Sequence, residues 1–278
     1  MAKLLDGRKL AQKIEKRQKI VIAKLRKKGI IPTLAVILVG KDPASGIYVS
    51  KKQEAASRIG VKVMVFKYPS RAKTEKVASK IQKLNRDKKV HGIIVQLPLP
   101  KHINQEKIIE AISPSKDVDG FHPLNWGKLA NKSEGLLPCT PAAVIELLHF
   151  YKIKLKGKEV VIVGKGNFVG KPLSILLLNE DTTLTVTHIF TKNLKEHTRR
   201  ADILISAAGV LRLIKKDMVK KGAVVVDVGI SREGKKITGD VDFEEVSKVA
   251  SYITPVPGGI GPVTVAELLK NVVKIASQ

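Results

Sequence analysis

The sequence predicts an α/β protein of two domains: an N-terminal α/β domain and a C-terminal Rossmann-type doubly wound parallel sheet, with the last helix packing back on the first domain. Three observations predict it. Short Val/Ile-rich runs alternate with segments of helical period, the rhythm of parallel α/β sheets. One such run, Val160-Val-Ile-Val163, leads into the glycine loop Gly164-Lys-Gly166-Asn-Phe-Val-Gly170 and then into a helix. A Pro/Gly-rich stretch, residues 255–262, carries the chain away from the second sheet into a closing apolar helix over residues 263–275, with Val265, Leu268, Leu269, Val272 and Val273 on one stripe.

In chain order, residues 33–39, 61–66 and 92–96 read as strands of the first sheet. Between the first two, the segment from Ser45 to Ala56 reads as a helix that puts Ser45, Tyr48 and Lys52 on one face. A hydroxyl, an aromatic plate and an amine then look into one volume near the carboxyl end of a strand, where open α/β sheets bind ligands. Residues 74–88, with Val77, Ile81 and Leu84 at helical period, form the next crossover. Leu97-Pro-Leu-Pro100 must end the third strand, because proline cannot donate to a ladder, and its X-Pro bonds are open to the cis form. Thr140-Pro141 reads as an N-cap with proline at the first helical position of a helix running to about residue 151, which makes Cys139 a packed neighbour and not a nucleophile. Residues 160–163, 184–189, 202–206 and 223–228 supply four strands of the second sheet.

Composition bounds the function. The 278 residues carry 51 Lys+Arg against 25 Asp+Glu, a formal charge of +26, which invites a nucleic-acid reading. The cations are scattered over every helix and turn, and aromatics are only 4%, so neither a focused patch nor a stacking platform is expected. The field should instead attract small anionic molecules. A single cysteine excludes an internal disulfide framework, and no Cys/His spacing suits a metal. No apolar run is long enough to span a bilayer, and residues 1–6 lack a leader's apolar core, so a cytoplasmic protein is expected.

Strand, glycine loop and helix form the context of a dinucleotide site, since glycine lets the backbone approach a pyrophosphate and the helix N-terminus offers amide donors. The spacing is GxGxxxG. The second strand ends in Thr187-His-Ile-Phe-Thr-Lys192, without the acidic residue that reads an NAD ribose. Lys165 and Lys192 can instead meet a 2′-phosphate, so NADP is the expected cofactor and NAD the alternative. Ala207-Ala-Gly209 and Val228-Gly229 give small residues at the next two strand ends, where a nicotinamide ring could pass.

Five motifs in register over nearly the whole chain then carry a resemblance: Tyr48-Val-x-x-Lys52, Val95-Gln-Leu-Pro-Leu-Pro100, Lys116-Asp-Val-Asp-Gly120, Pro138-Cys-Thr-Pro141 and Pro255-Val-Pro-Gly-Gly-Ile-Gly-Pro262. Together they resemble the bifunctional methylenetetrahydrofolate dehydrogenase/methenyltetrahydrofolate cyclohydrolase family, the FolD family. The resemblance implies a folate-binding catalytic domain over residues 1–138 plus 260–278, a Rossmann domain over 139–259, a folate cleft between them, and a homodimer. It makes Lys52 the general acid/base, held by Gln96, with Lys51 adding like charge beside it. Tyr48 is then the plate under the folate, Asp119 the grip on the pterin edge, and Ser45 a hydroxyl that orients the lysine or a water. Leu97, Pro98, Pro257, Gly258 and Gly259 would line the substrate, and Gly164, Lys165, Gly166, Val169, Gly170, Ile189, Lys192, Ala207, Gly209 and Ile230 the cofactor. The substrates would be tetrahydrofolate derivatives, with polyglutamate tails suited to the basic charge.

Departures sit in the cofactor half. Lys165-Gly166 stands where the family has Arg-Ser, Ile189 and Phe190 where a serine and a basic residue are common, and Leu211 where proline is common. A lysine keeps the charge but loses arginine's bidentate fork. Alternatives are therefore a cyclohydrolase-only or NAD-dependent variant, a shikimate-like dehydrogenase, and a basic nucleic-acid binder.

Overall fold

The computed structural model describes residues 1–234 and 236–278. Strand β1 (Lys3–Leu4) and helix α1 (Gly7–Lys27) precede β2 (Thr33–Val39), α2 (Pro43–Ile59), β3 (Lys62–Tyr68), α3 (Thr74–Arg86) and β4 (Gly92–Val95). Short helices α4 (Gln105–Ala111) and α5 (Pro123–Ala130) lead to α6 (Cys139–Phe150). Then come β5 (Glu159–Val163), α7 (Gly170–Asn179), β6 (Thr183–Thr187), α8 (Leu194–Thr198), β7 (Ile203–Ser206) and β8 (Val224–Asp227). The hairpin β9 (Ser231–Glu233) and β10 (Lys236–Thr238) is followed by α9 (Phe243–Val246), β11 (Tyr252–Ile253) and α10 (Ile260–Ala276). The chain forms two compact units, Gln12–Cys139 with Val265–Gln278, and Met1–Ala11 with Thr140–Thr264.

In the first of these, β2 is the centre of a three-stranded parallel sheet of order β3-β2-β4. Every residue of β2 is buried because both faces are covered, as parallel sheets require. Leu34 and Val36 pack on Val49, Ala56 and Ile59 of α2 and on Leu268, Leu269, Val272 and Val273 of α10. Ala35, Ile37 and Val39 point the other way, onto Val77, Ile81 and Leu84 of α3 and Ile108 of α4. The closing helix therefore packs on the first sheet, as the apolar stripe predicts. Each such aliphatic side chain contributes roughly 1.5–3 kcal/mol when fully buried.

The other unit holds a six-stranded parallel sheet of order β1-β11-β8-β7-β5-β6. Four of its strands are those expected. The added pair, β11 and β1, has two residues per strand, too short for any period, and Lys3 pairs with Tyr252 across almost the full length of the chain. That pairing draws Met1–Ala11 into the unit of the second sheet, a correction to the expected grouping of residues 1–138. The antiparallel β9–β10 hairpin is also additional. A second correction concerns α6, which begins at Cys139. Thr140 thus lies in the first turn instead of capping it, and its hydroxyl accepts from Thr264 Oγ1 at 3.3 Å.

Among the described residues, no helix is long and apolar enough to cross a membrane.

Candidate active site and dinucleotide cradle

The loop after β2 enters α2 through Asp42, whose carboxylate accepts from Ser45 N at 2.7 Å and so caps the helix, with Pro43 set in the first turn. The buried Ser45 hydroxyl also donates to Asp42, at 2.7 Å, and approaches the Leu97 carbonyl at 3.4 Å. Ser45 thereby ties the start of α2 to the end of β4; the bond it donates is spent on the cap, not on Lys52. One and two turns on, Tyr48 and Lys52 follow on the same face, both partly buried.

Lys52 Nζ donates to Gln96 Oε1 at 2.9 Å. Gln96 is itself buried and fixed at both ends. Its backbone N–H continues the sheet ladder to Ile37 O at 2.8 Å, and its side-chain Nε2 donates to Leu97 O at 2.7 Å. That second bond decides which way the amide points, leaving the oxygen for the lysine. The Leu97–Pro98 bond is cis.

Asp119 comes from the segment after α4. An isolated bridge pairs Ile93 with Asp117, and Asp117 accepts from His122 N at 2.7 Å and Asn125 Nδ2 at 3.0 Å. Val118 O receives Cys139 Sγ at 3.1 Å and Asn271 Nδ2 at 2.9 Å. Gly120 closes the turn at φ +70, where a Cβ would sit 2.6 Å from Leu137 C, so only glycine fits. Asn125 and Asn271, which clamp this segment, carry no sequence signal: each is a lone amide whose partner lies far off or on a turn.

Burial pulls the Lys52 ammonium below its ordinary value, while Asp119 and Cys139 oppose that shift. The expected like-charge contribution of Lys51 gives way to desolvation as the cause, since the Lys51 side chain is exposed. Burial also raises the Asp119 carboxyl, to about 6, against the opposing pull of Lys52; the neighbouring Asp117 adds to the rise. The Cys139 thiol is pushed well above its usual range, again by burial first, so it stays a protonated packing group. The result is an amine and a carboxyl of shifted proton affinity, the carboxyl bordering a small cavity lined by Val95, Leu97, Leu99, Asp119 and Phe121.

In the other unit, β6 lies on one side of β5 and β7 on the other, so a switch point opens at the carboxyl end of β5. Gly164 occupies it at φ +113, and a Cβ there would fall 2.4 Å from Ala207 O. A Cβ on Gly170 would fall 2.0 Å from Gly164 O. Both glycines are sterically required, whereas Gly166 has open space around it. Val169 precedes the first turn of α7 and offers no side-chain cap, and within that turn Lys171 N donates to Gly166 O at 3.1 Å. Lys165, Lys192 and Gly209 are exposed, Ala207 is half-buried, and Ile230 is about half exposed. Ile189 and Phe190 stand out into solvent at 90% and 78% exposure. The cradle thus fits a dinucleotide: open space at Gly166 for a pyrophosphate, cations, and no carboxylate over residues 187–192. Pro257, Gly258 and Gly259 belong to this unit, where Gly7 N donates to Gly258 O at 2.9 Å and Gly259 N to Pro255 O at 2.7 Å. The described residues hold no group of three or more His, Cys, Asp or Glu placed to bind a metal.

The family model for the catalytic domain of tetrahydrofolate dehydrogenase/cyclohydrolase matches residues 5–119, and the model for its NAD(P)-binding domain matches residues 138–278. The chain belongs to the tetrahydrofolate dehydrogenase/cyclohydrolase family. Within that family it is 54% identical over 276 residues to the bifunctional protein FolD of Aquifex aeolicus, covering 99% of this chain and 95% of the relative. The crystal structure of the bifunctional FolD enzyme from Campylobacter jejuni superposes with a TM-score of 0.98 at 52% identity, covering 100% of this chain and 99% of that one. The Trypanosoma brucei FolD, whose structure holds NADP and an inhibitor, gives 0.95 at 39% identity over 99% and 97% of the two chains. Membership in the tetrahydrofolate dehydrogenase/cyclohydrolase family sets aside the shikimate-like and nucleic-acid alternatives.

Proposed function

We propose that this chain oxidises 5,10-methylenetetrahydrofolate to the 5,10-methenyl form with NADP and hydrolyses that product to 10-formyltetrahydrofolate. The observation that carries the reading is the Lys52–Gln96 hydrogen bond beside Asp119, a desolvated amine held in one orientation on a domain that matches the family's catalytic model.

Oxidation removes a hydride from the methylene bridge and leaves an amidinium-like cation. Bound at the cradle, the nicotinamide of NADP supplies the hydride acceptor. Gly164, Gly166, Val169 and Gly170 would take its pyrophosphate, Lys165 and Lys192 its 2′-phosphate, and Ala207, Gly209 and Ile230 the nicotinamide side, with Ile189 beside the adenosine. In the hydrolytic step a water adds to the methenyl carbon. Lys52, whose proton affinity burial lowers, takes a proton from that water, and the ammonium so formed returns a proton to N5 as the carbon–N5 bond breaks. The carbonyl forms as the second water proton leaves to solvent, giving one net proton. Gln96 holds the amine in place throughout. Asp119 accepts from the donor-rich pterin edge, Tyr48 packs on the ring system, and Leu97 and Pro98 line the folate beside them.

The direct test follows NADP and NAD reduction with 5,10-methylenetetrahydrofolate, and separately the loss of methenyltetrahydrofolate. Reduction of NADP together with methenyl hydrolysis sustains the proposal; hydrolysis without reduction leaves a cyclohydrolase alone, and NAD in place of NADP overturns the cofactor assignment. We further read the protein as a cytoplasmic homodimer whose basic surface favours polyglutamylated folates. Equal affinity and equal salt dependence for mono- and polyglutamate substrates would remove the last of these points.

A further inference from the structure

Two carboxylates are buried beneath the cofactor side of the second sheet, and the chemistry above uses neither. Asp227, the last residue of β8, is 4% exposed; Asp240, after β10, is 0% exposed. Asp240 Oδ2 gathers three donors: Ser206 Oγ at 2.9 Å, Ala208 N at 2.7 Å and Gly209 N at 3.2 Å. All three belong to the end of β7 and the loop that follows it, which contains Ala207 and Gly209 of the dinucleotide cradle. Asp227 in turn holds Asp240. Its Oδ1 accepts from Asp240 N at 3.1 Å and Gly229 N at 3.0 Å, and its Oδ2 from Val241 N at 2.9 Å.

The packing leaves no slack. A Cβ on Gly229 would fall 2.0 Å from Asp240 Oδ1, and one on Gly239 2.0 Å from Asp227 Oδ2. The Gly164 Cβ position, 2.4 Å from Ala207 O and 3.1 Å from Ala208 N, shows the same loop pressed against the start of the glycine turn. None of the six hydrogen bonds to the pair comes from a cation, and Asp240 Oδ1 has no hydrogen-bond partner among the described residues. Burying anions without a counter-ion is costly, and a fold that only needed to close this corner would place an amide or an apolar residue here. A charged acceptor gives stronger bonds to amide donors than a neutral one, and so fixes a loop more firmly.

We propose that Asp240, held by Asp227, is a positioning residue for the cofactor: it sets the Ala207–Gly209 loop against Gly164 so that the cradle is formed before NADP arrives. This rests on the NADP-dependent reading of the site. Burial, with Asp240 close by, raises the Asp227 carboxyl to about 7, in line with two acids crowded in one pocket.

The test uses the full-length protein and three variants: Asp240→Ala, Asp240→Asn and Ser206→Ala. NADP affinity is measured by calorimetric titration without folate, and methenyl hydrolysis is measured without NADP. Loss of the charged acceptor should weaken NADP binding by about tenfold or more in Asp240→Ala, the scale of a hydrogen bond to a charged group. Asp240→Asn keeps an acceptor oxygen towards the loop but loses the charge, and should recover only part of that loss. Ser206→Ala, which removes one donor and leaves the fold's amides in place, should weaken binding by about threefold. Hydrolysis should stay within about twofold of the parent in all three, since removing one of these groups leaves the Lys52 unit's own bonds intact. Unchanged NADP affinity in Ser206→Ala and in Asp240→Ala overturns the proposal, as does an Asn variant no better than Ala. If Asp240→Ala does not fold, the Asn and Ser206 variants decide. A parent enzyme that hydrolyses methenyltetrahydrofolate but binds no NADP refutes the cofactor reading itself, a result distinct from either.

Discussion

The Lys52 centre and the dinucleotide cradle lie in different compact units, and they are built in opposite ways. The Lys52 centre is made by side chains: Lys52 on Gln96, Ser45 on Asp42, Asn125 on Asp117. The cradle is made by backbone and by the absence of side chains, through Gly164, Gly170 and Gly209, with its cations and apolar residues standing free in solvent. Substitutions should therefore act differently in the two. In the first region function depends on proton affinity and aim; in the second it depends on whether a backbone shape survives.

The sharpest break is Lys52→Met. It removes the proton carrier while keeping much of the side-chain length, and methenyl hydrolysis should fall by about 10²–10⁴-fold, the usual worth of general acid–base catalysis. NADP binding by the same variant should be unchanged in a titration without folate; a parallel loss would erase the distinction between the two regions.

Next comes Gly164→Val. The left-handed backbone at φ +113 and the 2.4 Å approach to Ala207 O both exclude a β-branched side chain. NADP affinity should drop by roughly 10–100-fold while methenyl hydrolysis persists, with thermal unfolding lower by the cost of a strained φ, about 1–3 kcal/mol.

Asp119→Asn sharpens the electrostatic side. Asp119 raises the Lys52 proton affinity, so its neutral replacement should move the limb of hydrolysis that rises as Lys52 deprotonates to lower pH. The same carboxyl has a stability signature. Its folded value, about 6, lies above the ordinary carboxyl value of 3.8, so the folded state binds the extra proton. That contribution to stability is complete below about pH 4 and is lost as pH rises through about 6. The parent should thus lose stability relative to Asp119→Asn between those limits, by a difference on the order of 1–3 kcal/mol in denaturant titrations. A difference independent of pH would mean that Asp119 is not desolvated.

The smallest effects belong to the exposed cations. Lys165→Ala and Lys192→Ala should each raise the NADP Michaelis constant a few-fold and leave that for NAD nearly unchanged, because solvent-exposed charge pairs are worth about 0.2–1 kcal/mol. Equal rises for both cofactors would place these lysines on the pyrophosphate, not the 2′-phosphate.

Much of this molecule is determined by the sequence alone. The seven long-run strands follow from unbroken Val/Ile-rich runs, because a strand covered on both faces is apolar throughout, and the crossover and closing helices follow from their period of 3.6. Ser45, Tyr48 and Lys52 share a face for the same local reason, and Gly164 and Gly170 mark where backbone must approach backbone. Tertiary structure decided what depends on partners distant in sequence. The pairing of β1 with β11 moved Met1–Ala11 into the other unit, and no two-residue strand carries a period that could announce it. The Gln96 amide points its oxygen at Lys52 only because Leu97 O takes its other end. Lys52 loses proton affinity through burial, with the exposed Lys51 beside it playing no part that sequence adjacency suggested. Asp227, Asp240 and Asn271 look like ordinary polar residues in the chain, and their work exists only where folding strips them of water and gives each a single set of partners. Local spacing fixes which residues can share a face, whereas desolvation and long-range pairing are properties of the whole packed unit and come into being with it.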